Sequence, residues 1–363
     1  MSVVYLKFLR RCALPCCLRP SPAYPGSGPN ASHIADEIPE TAYVRRYGWL
    51  EVESLTGNFT AAVIGEGGFS IVYLARLTGA AAPSSLAAVK VHRSGERLHR
   101  AFLQELDVLI RLRHPRIVRL LGFCDDREEG VLVLEYVPNG SLHEKLRGGG
   151  GGDGGAALGW ARRMWIAYEV AGAVEYLHDG CGELPIVHGD ITTANVLLDD
   201  GLDPKLCDFG SARAGFSSAV RSAGPMIGSP GYADPHYLRT GMVSKSTDVY
   251  SFGVLLLELI TGLPAVGSGE GRVLTAEMGP LLREDGRAVA EVVDPRLGWE
   301  YDAREAAAMA AVVARCIGEQ PSLRPSMAEI RSIMWEEVCS SLSVVAAGSD
   351  GKRASLSSPV TLF

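Results

Sequence analysis

The alternation of apolar and polar positions divides the chain into a strand-rich first part and a helix-rich second part. Val63–Tyr73 reads as a strand, a glycine turn and a second strand, and Ala88–Val91 continues the same sheet. Phe102, Leu106 and Leu109 recur at helical spacing inside the amphipathic run Leu98–Leu112, which predicts a helix with Glu105 near its inward edge. Val131–Tyr136 is a continuous apolar strand. From Leu158 to about His178 the pattern predicts a long helix with Ile166, Val170, Val174 and Leu177 on one face. Ile186–Asp208 then carries the apolar runs Ile186-Val187 and Val196-Leu197-Leu198, and the turn signal Asp199-Asp200-Gly201 separates two short strands, the pattern of a hairpin. Val249–Ile260 is the longest apolar run. It contains Glu258 and falls short of the roughly 20 residues a bilayer crossing needs, so it reads as a buried helix.

Between and around these elements the chain changes character. Residues 1–57 read as a disordered tail, with Pro, Ser and Gly clustered at 20–29, and 341–363 as a Ser-rich one. Gly148–Gly155 is a flexible insert. A length of 363 residues leaves room for two lobes between the tails. A net charge of −7 gives no electrostatic case for nucleic-acid binding. Eight cysteines without CxxC spacing imply neither a zinc site nor a disulfide framework, and read as reduced thiols. Cys12, Cys16 and Cys17 lie beside Lys7, Arg10, Arg11 and Arg19, which makes them candidates for S-acylation and attachment to a membrane surface. A plain disordered tail and an organelle-targeting segment are the alternatives. Basic residues and Pro15 break the apolar core of a signal peptide, and no glycine follows Met1 for myristoylation.

The chemistry concentrates in the hairpin. Asp190, Asn195 and Asp208 place two acids and an amide at strand ends: one acid able to take a proton from a hydroxyl, the others hard oxygen donors for Mg²⁺. Gly65, Gly67 and Gly68 let the backbone approach phosphates closely, and Lys90 on the next strand could grip them if held by Glu105. Each feature alone has a plainer reading. The hairpin could be a solvated turn, and an exposed Lys–Glu pair contributes at most about 1 kcal/mol. A dinucleotide site fits poorly, because Ser70 stands in the third glycine position and alternating strands and helices are missing. No GxxxxGK[ST] occurs.

The order of further motifs decides among these readings. Asp208-Phe209-Gly210 follows the hairpin; His114–Phe123 (HPRIVRLLGF) and Val137–Leu142 (VPNGSL) precede it. Gly228–Tyr232, Asp234-Pro235, Asp248–Gly253, Val292–Leu297 and Arg324–Met327 come after. Over about residues 58–340 this series resembles plant receptor-like kinases of the receptor/Pelle type, closest to receptor-like cytoplasmic kinases. The resemblance implies an α+β, bilobal protein kinase fold. Residues 58–137 would form a small lobe with an antiparallel sheet and one helix, and 138–340 a larger, mainly helical lobe. It implies transfer of the ATP γ-phosphate to Ser/Thr hydroxyls of protein substrates with Mg²⁺, downstream of a receptor kinase. The setting would be cytoplasmic, or peripheral at the plasma membrane through the tail.

By the same resemblance Asp190, Lys90 and Glu105 are catalytic. Asn195 and Asp208 hold the metal. Ile64, Gly65, Gly67, Gly68, Val72, Ala88, Lys90, Leu134, Glu135, Val137 and Leu197 contact ATP, with Leu134 as gatekeeper. Leu109, Leu120, His188 and Phe209 would stack as a dry column, so His188 is structural, and Asp248 would tie down the catalytic loop. Ser217, Ser218, Ser222 and Ser229 belong to the activation segment.

Four positions depart from the family pattern. Gly189 replaces the arginine that pairs with a phosphorylated activation segment, so that switch should not be needed. Thr192 replaces a lysine that helps neutralise the transferring group, which argues for a slower enzyme or a relaxed hydroxyl preference. His236 replaces the glutamate that should pair with Arg324; an unpaired buried guanidinium would cost several kcal/mol unless water or another acid compensates. Ser70 replaces the last loop glycine. The alternative function is a scaffold that binds nucleotide without turnover.

Overall fold

The computed structural model of the protein describes residues 44–79, 82–148, 158–182, 184–215, 220–221, 228–267, 271–283 and 292–355. The candidate acylation cysteines and Ser217, Ser218 and Ser222 lie outside the described residues.

A six-stranded sheet dominates the first part. β1 (Arg45–Arg46) precedes a short helix, α1 (Trp49–Leu55); β2 (Val63–Glu66), β3 (Ser70–Gly79) and β4 (Ala82–His92) follow. Helix α2 (Glu96–Leu109) leads to β5 (Leu120–Cys124) and β6 (Val131–Glu135). The strand order is β1-β5-β6-β4-β3-β2. Every pairing is antiparallel except the one between β1 and β5. That parallel edge is a correction to an all-antiparallel expectation.

Side chains alternate across each strand, so the sheet has two faces. Tyr73, Ala75, Ala87, Val89, Val131 and Val133 form a buried cluster on one of them, together with Val52 of α1 and Tyr47. An apolar sheet face must be covered. Residues 45–57, read from sequence as part of a disordered tail, supply that cover. Trp49, Val52 and Leu55 fall on one helical face, and Arg46 pairs with Asp125 at 2.6 Å to hold the strand in place.

The second part is helical. α3 (Leu142–Arg147) and α4 (Trp160–Glu175) come first, and α4 runs into one wide turn at Tyr176–Gly180. Two hairpin-like pairs follow: β7 (Ile186–Val187) with β10 (Arg213–Ala214), and β8 (Val196–Leu198) with β9 (Pro204–Leu206). β11 (Val220–Arg221) pairs with β12 (Met242–Val243), and α5 (Pro235–Thr240) lies between them in sequence. α6 (Lys245–Thr261), α7 (Leu274–Arg283), α8 (Ala303–Cys316), α9 (Met327–Glu337) and α10 (Cys339–Ser355) complete the order. Apolar α6 is buried along nearly its whole length, as its run of Val, Leu and Ile requires. Among the described residues no helix is long and apolar enough to cross a membrane.

The larger core runs from α2 and the sheet's other face into the helical part, through Phe102, Leu106, Leu109, Leu132, Val170, Val174 and Phe252. The C-terminal stretch also departs from the sequence reading. Residues 341–355, expected to be disordered, belong to α10, whose Leu342 and Val345 are buried. Buried Glu305 anchors it, accepting from Ser341 Oγ at 2.6 Å and from Trp160 Nε1 at 2.7 Å.

Candidate active site

β4 brings Lys90 to the cleft because residues two apart on a strand share a face. Phe102 and Leu106 seat α2 against the core, which turns Glu105 inward until it is 1% exposed. Lys90 Nζ donates to Glu105 Oε1 at 2.8 Å and Oε2 at 2.9 Å, and to Asp208 Oδ1 at 2.8 Å. Three groups separated by 15 and 118 positions in sequence thus meet at one ammonium.

The electrostatics follow from that meeting. Burial works against the Lys90 charge, but Glu105 and then Asp208 outweigh it and raise the lysine above its ordinary value. Burial alone would push Glu105 up; Lys90, with a hydrogen bond from His92, holds it below the usual range. Asp208 is lowered in the same way, Lys90 overcoming the cost of burial. All three groups are therefore charged near neutral pH. Asp208 has left-handed backbone (φ 62°), a conformation aspartate tolerates better than most residues, and 47% of its side chain stays accessible.

The hairpin holds the second half. Asp190 Oδ1 accepts from Ser229 Oγ at 2.8 Å and Ser229 N at 3.0 Å; Asp190 Oδ2 accepts from Asn195 Nδ2 at 3.1 Å. Asn195 Nδ2 also donates to the Asp190 carbonyl at 2.9 Å, which leaves its amide oxygen for another partner. An amide oxygen and an accessible carboxylate suit Mg²⁺, which takes few protein ligands and completes its shell with phosphates and water. Among the described residues no cluster of three His, Cys, Asp or Glu side chains competes for a metal.

Asp248, at the start of α6, fixes the loop that carries Asp190. Its carboxylate accepts from His188 N and Gly189 N, both at 2.8 Å, and from His178 Nε2 at 2.9 Å. His188 is fully buried with its ring 4.7 Å from that of Phe209, and Leu109 and Leu120 belong to the same core. Asp190 N donates to His188 Nδ1 at 3.2 Å, so Nε2 carries the proton that goes to Cys207 O at 3.1 Å. With its lone pair taken, the ring is structural.

The positions expected to face a nucleotide lie around this corner. Val72 is paired with Lys90 and Gly65, and Ala88 with Leu74 and Leu134. Leu197 sits on β8, bridged to Ser141. Gly67 and Gly68 form the exposed turn between β2 and β3, Gly67 N donating to Ser70 O at 2.9 Å. Ile64 is 41% exposed beside that turn. Glu135 ends β6 and accepts from Arg119 N and Lys205 Nζ; Val137 is buried where the chain enters the helical part.

The departures resolve differently from one another. Gly189 has φ 78°, and a Cβ there would come within 2.9 Å of Ser211 O, so the site resists any side chain. Thr192 is buried, and its hydroxyl accepts from Asn195 N at 3.1 Å, capping the turn 193–195. His236 does not leave Arg324 unpaired. Asp234, two positions earlier, takes Arg324 in a two-pronged pair at 2.7 and 2.9 Å, both side chains at most 2% exposed. Gly318 O and Ser246 O accept two more of the guanidinium protons. The expected cost is absent because another acid stands there.

Sequence reasoning missed two other supports. Glu258, noticed only as a charge in an apolar run, is 1% exposed and gathers Arg147 (2.5 Å), Thr193 Oγ1 (2.9 Å) and the Tyr232 hydroxyl, joining the hairpin to the segment after Ser229. His92 contacts Glu105. For Glu258 the signal was present: a carboxylate inside a buried helix needs donors.

The fold and this corner are those of a protein kinase. The family profile described as protein kinase domain matches residues 60–335, and the chain belongs to that family, within its plant receptor-like cytoplasmic branch. Salt tolerance receptor-like cytoplasmic kinase 1 of Oryza sativa subsp. japonica is 55% identical over 315 residues, 86% of this chain and 85% of that protein. A probable receptor-like protein kinase of Arabidopsis thaliana is 45% identical over 318 residues, 83% of this chain and 90% of that protein. A probable LRR receptor-like serine/threonine-protein kinase from the same plant is 37% identical over 290 residues, 79% of this chain and 32% of that longer protein.

Proposed function

We propose that the chain is an active protein serine/threonine kinase that transfers the γ-phosphate of ATP to protein hydroxyls, with Lys90, Glu105, Asp190, Asn195 and Asp208 in the roles given above. One observation carries the reading: Lys90 spans Glu105 and Asp208 at 2.8 Å while Asp190 already receives an aliphatic hydroxyl, that of Ser229, at 2.8 Å. The ammonium is positioned to bind phosphate oxygens from the sheet side. Asp190 orients an incoming alcohol and accepts its proton as the oxygen attacks, a role typically worth 10²–10⁴-fold. Mg²⁺ at Asn195 and Asp208 would supply charge neutralisation on the phosphates. Ile64, Val72, Ala88 and Leu197 enclose the base, and the chain at Glu135–Val137 offers it backbone groups.

The partners proposed are protein substrates and an upstream receptor kinase, in the cytoplasm, with peripheral membrane attachment if Cys12, Cys16 and Cys17 are acylated. A nucleotide-binding scaffold remains the second reading, favoured by Thr192, which is buried as a cap and offers no cation to the transferring group. Purified protein with labelled ATP, Mg²⁺ and a general protein acceptor separates the two. The kinase reading expects transfer that falls about 10²–10⁴-fold in Asp190→Ala. Equal signal from both proteins, or nucleotide binding with no transfer, would overturn it.

A further inference from the structure

Glu105 has a second partner besides Lys90. His92 lies two residues after Lys90 on β4, so both side chains leave the same face of the sheet toward α2. His92 Nε2 is 3.2 Å from Glu105 Oε2, and Nδ1 is 3.0 Å from the Gly130 carbonyl. Both ring nitrogens face acceptors. The ring is 4% exposed and packs 5.4 Å from Phe102, which is on the same face of α2 as Glu105, one turn earlier. Gly130 closes the pocket from the other side: a Cβ there would fall 2.1 Å from Phe102, so only glycine brings its carbonyl against the imidazole.

Lys90 has no such brace of its own. Its ammonium contacts the two Glu105 oxygens and Asp208 Oδ1, and half-accessible Asp208 is the group expected to turn toward a metal. Glu105 is then the remaining fixed point for the ammonium. Its carboxylate could rotate about its last bond if only Lys90 held it. A hydrogen bond from Nε2–H of a buried ring, itself fixed by packing on Phe102, removes that freedom.

We infer that His92 is a positioning residue of the nucleotide site, holding Glu105 so that Lys90 is presented to the phosphates and not to the base. The inference rests on the nucleotide reading above and needs no phosphate transfer for its test. It concerns one end of the ligand, which gives it a signature that a merely structural histidine lacks. ATP affinity should depend on His92, and adenosine affinity should not.

Glutamine and asparagine separate the two ring contacts. In His92→Gln the amide nitrogen falls near the place of Nε2 and can still donate to Glu105. In His92→Asn it falls near Nδ1, where it reaches the Gly130 carbonyl and loses Glu105. His92→Leu loses both. Binding of a non-hydrolysable ATP analogue with Mg²⁺, and of adenosine, is measured by calorimetry on the full chain, alongside melting temperature. The analogue should bind about tenfold more weakly to the Leu and Asn variants, and within about twofold of wild type to the Gln variant. Adenosine should bind all four proteins alike. In a Glu105→Gln background, His92→Leu should add nothing further.

Equal weakening of analogue and adenosine would reduce His92 to general fold support and overturn the inference. So would an Asn variant that matches Gln, or a full His92→Leu effect persisting without Glu105. If one variant fails to fold, the Gln–Asn contrast and the double variant each decide the matter separately. A wild-type chain that binds the analogue but moves no phosphate would defeat the kinase reading and leave this inference standing. A wild-type chain that binds no analogue would defeat both.

Discussion

The two walls of the cleft were assembled under different constraints. On the sheet wall, Lys90 and Glu105 keep the residue types and spacing of the family and meet at 2.8 Å, and Lys90 reaches across to Asp208 of the hairpin at the same distance. On the hairpin wall, Gly189, Thr192 and His236 depart from the pattern around an unchanged Asp190. Each departure is absorbed locally: a left-handed glycine on Asp248, a threonine that caps its own turn, and an aspartate that takes the arginine. Groups that touch the ligand are set by the ligand's chemistry and cannot trade places. Groups that only hold the loop can be exchanged, provided every buried donor and charge still finds a partner.

That contrast is sharpest at Asp234. Its replacement by Ala leaves the Arg324 guanidinium buried without its acid and should cost about 3–5 kcal/mol in denaturant unfolding. His236→Glu, which restores the family residue, should change stability by less than about 0.5 kcal/mol, because Arg324 is already satisfied. A large gain from His236→Glu would mean that the Asp234 pair does not carry the load assigned to it.

Gly189 is the next test. At φ 78°, with Ser211 O in the way of a Cβ, Gly189→Ala should lose about 1–2 kcal/mol in the same measurement. An unchanged midpoint would show that the loop has room for the missing arginine.

The joint behind the sheet wall makes a pH prediction. His114 stacks on Tyr176 with centroids 4.9 Å apart, and burial first, then nearby Arg116, lowers it from 6.5 to about 4. A base lowered in the folded state resists protonation there. The stability it contributes is complete above pH 6.5 and is lost as pH falls toward about 4. Unfolding of wild type should therefore become easier across that window, and His114→Gln should flatten the slope. Parallel slopes in the two proteins would contradict the assignment.

The smallest effect is expected from the segment serines. With glycine at 189, replacing Ser217, Ser218 and Ser222 together by Ala should leave most transfer activity, within about threefold. A loss like that of Asp190→Ala would mean that this segment is switched by phosphate after all.

Much of the sheet wall was legible in the chain because its signals are local. The glycine turn, the AVK strand and an amphipathic helix with Glu105 on its inner edge each fit within a short window. The dry stack and the role of Asp248 were legible only through resemblance. What stayed hidden depended on distant pairing. Nothing near Arg324 in sequence points to Asp234, 90 positions away, and a histidine beside a strand lysine gives no hint that it meets Glu105. The flanks were misjudged for another reason. α1 is only seven residues long and α10 is rich in Ser and Gly, and each is stabilised by a surface it covers: the bare sheet face for Val52, and α4 with Glu305 for Leu342 and Ser341.

The central claim is that one ligand joins the two walls. A crystal structure of the protein with Mg²⁺ and a non-hydrolysable ATP analogue tests it most directly. The account predicts the phosphates on Lys90 Nζ, Glu105 still holding that amine, and a metal bound by Asn195 and Asp208. An analogue bound with its phosphates out of reach of Lys90, or a metal that ignores Asp208, would contradict it.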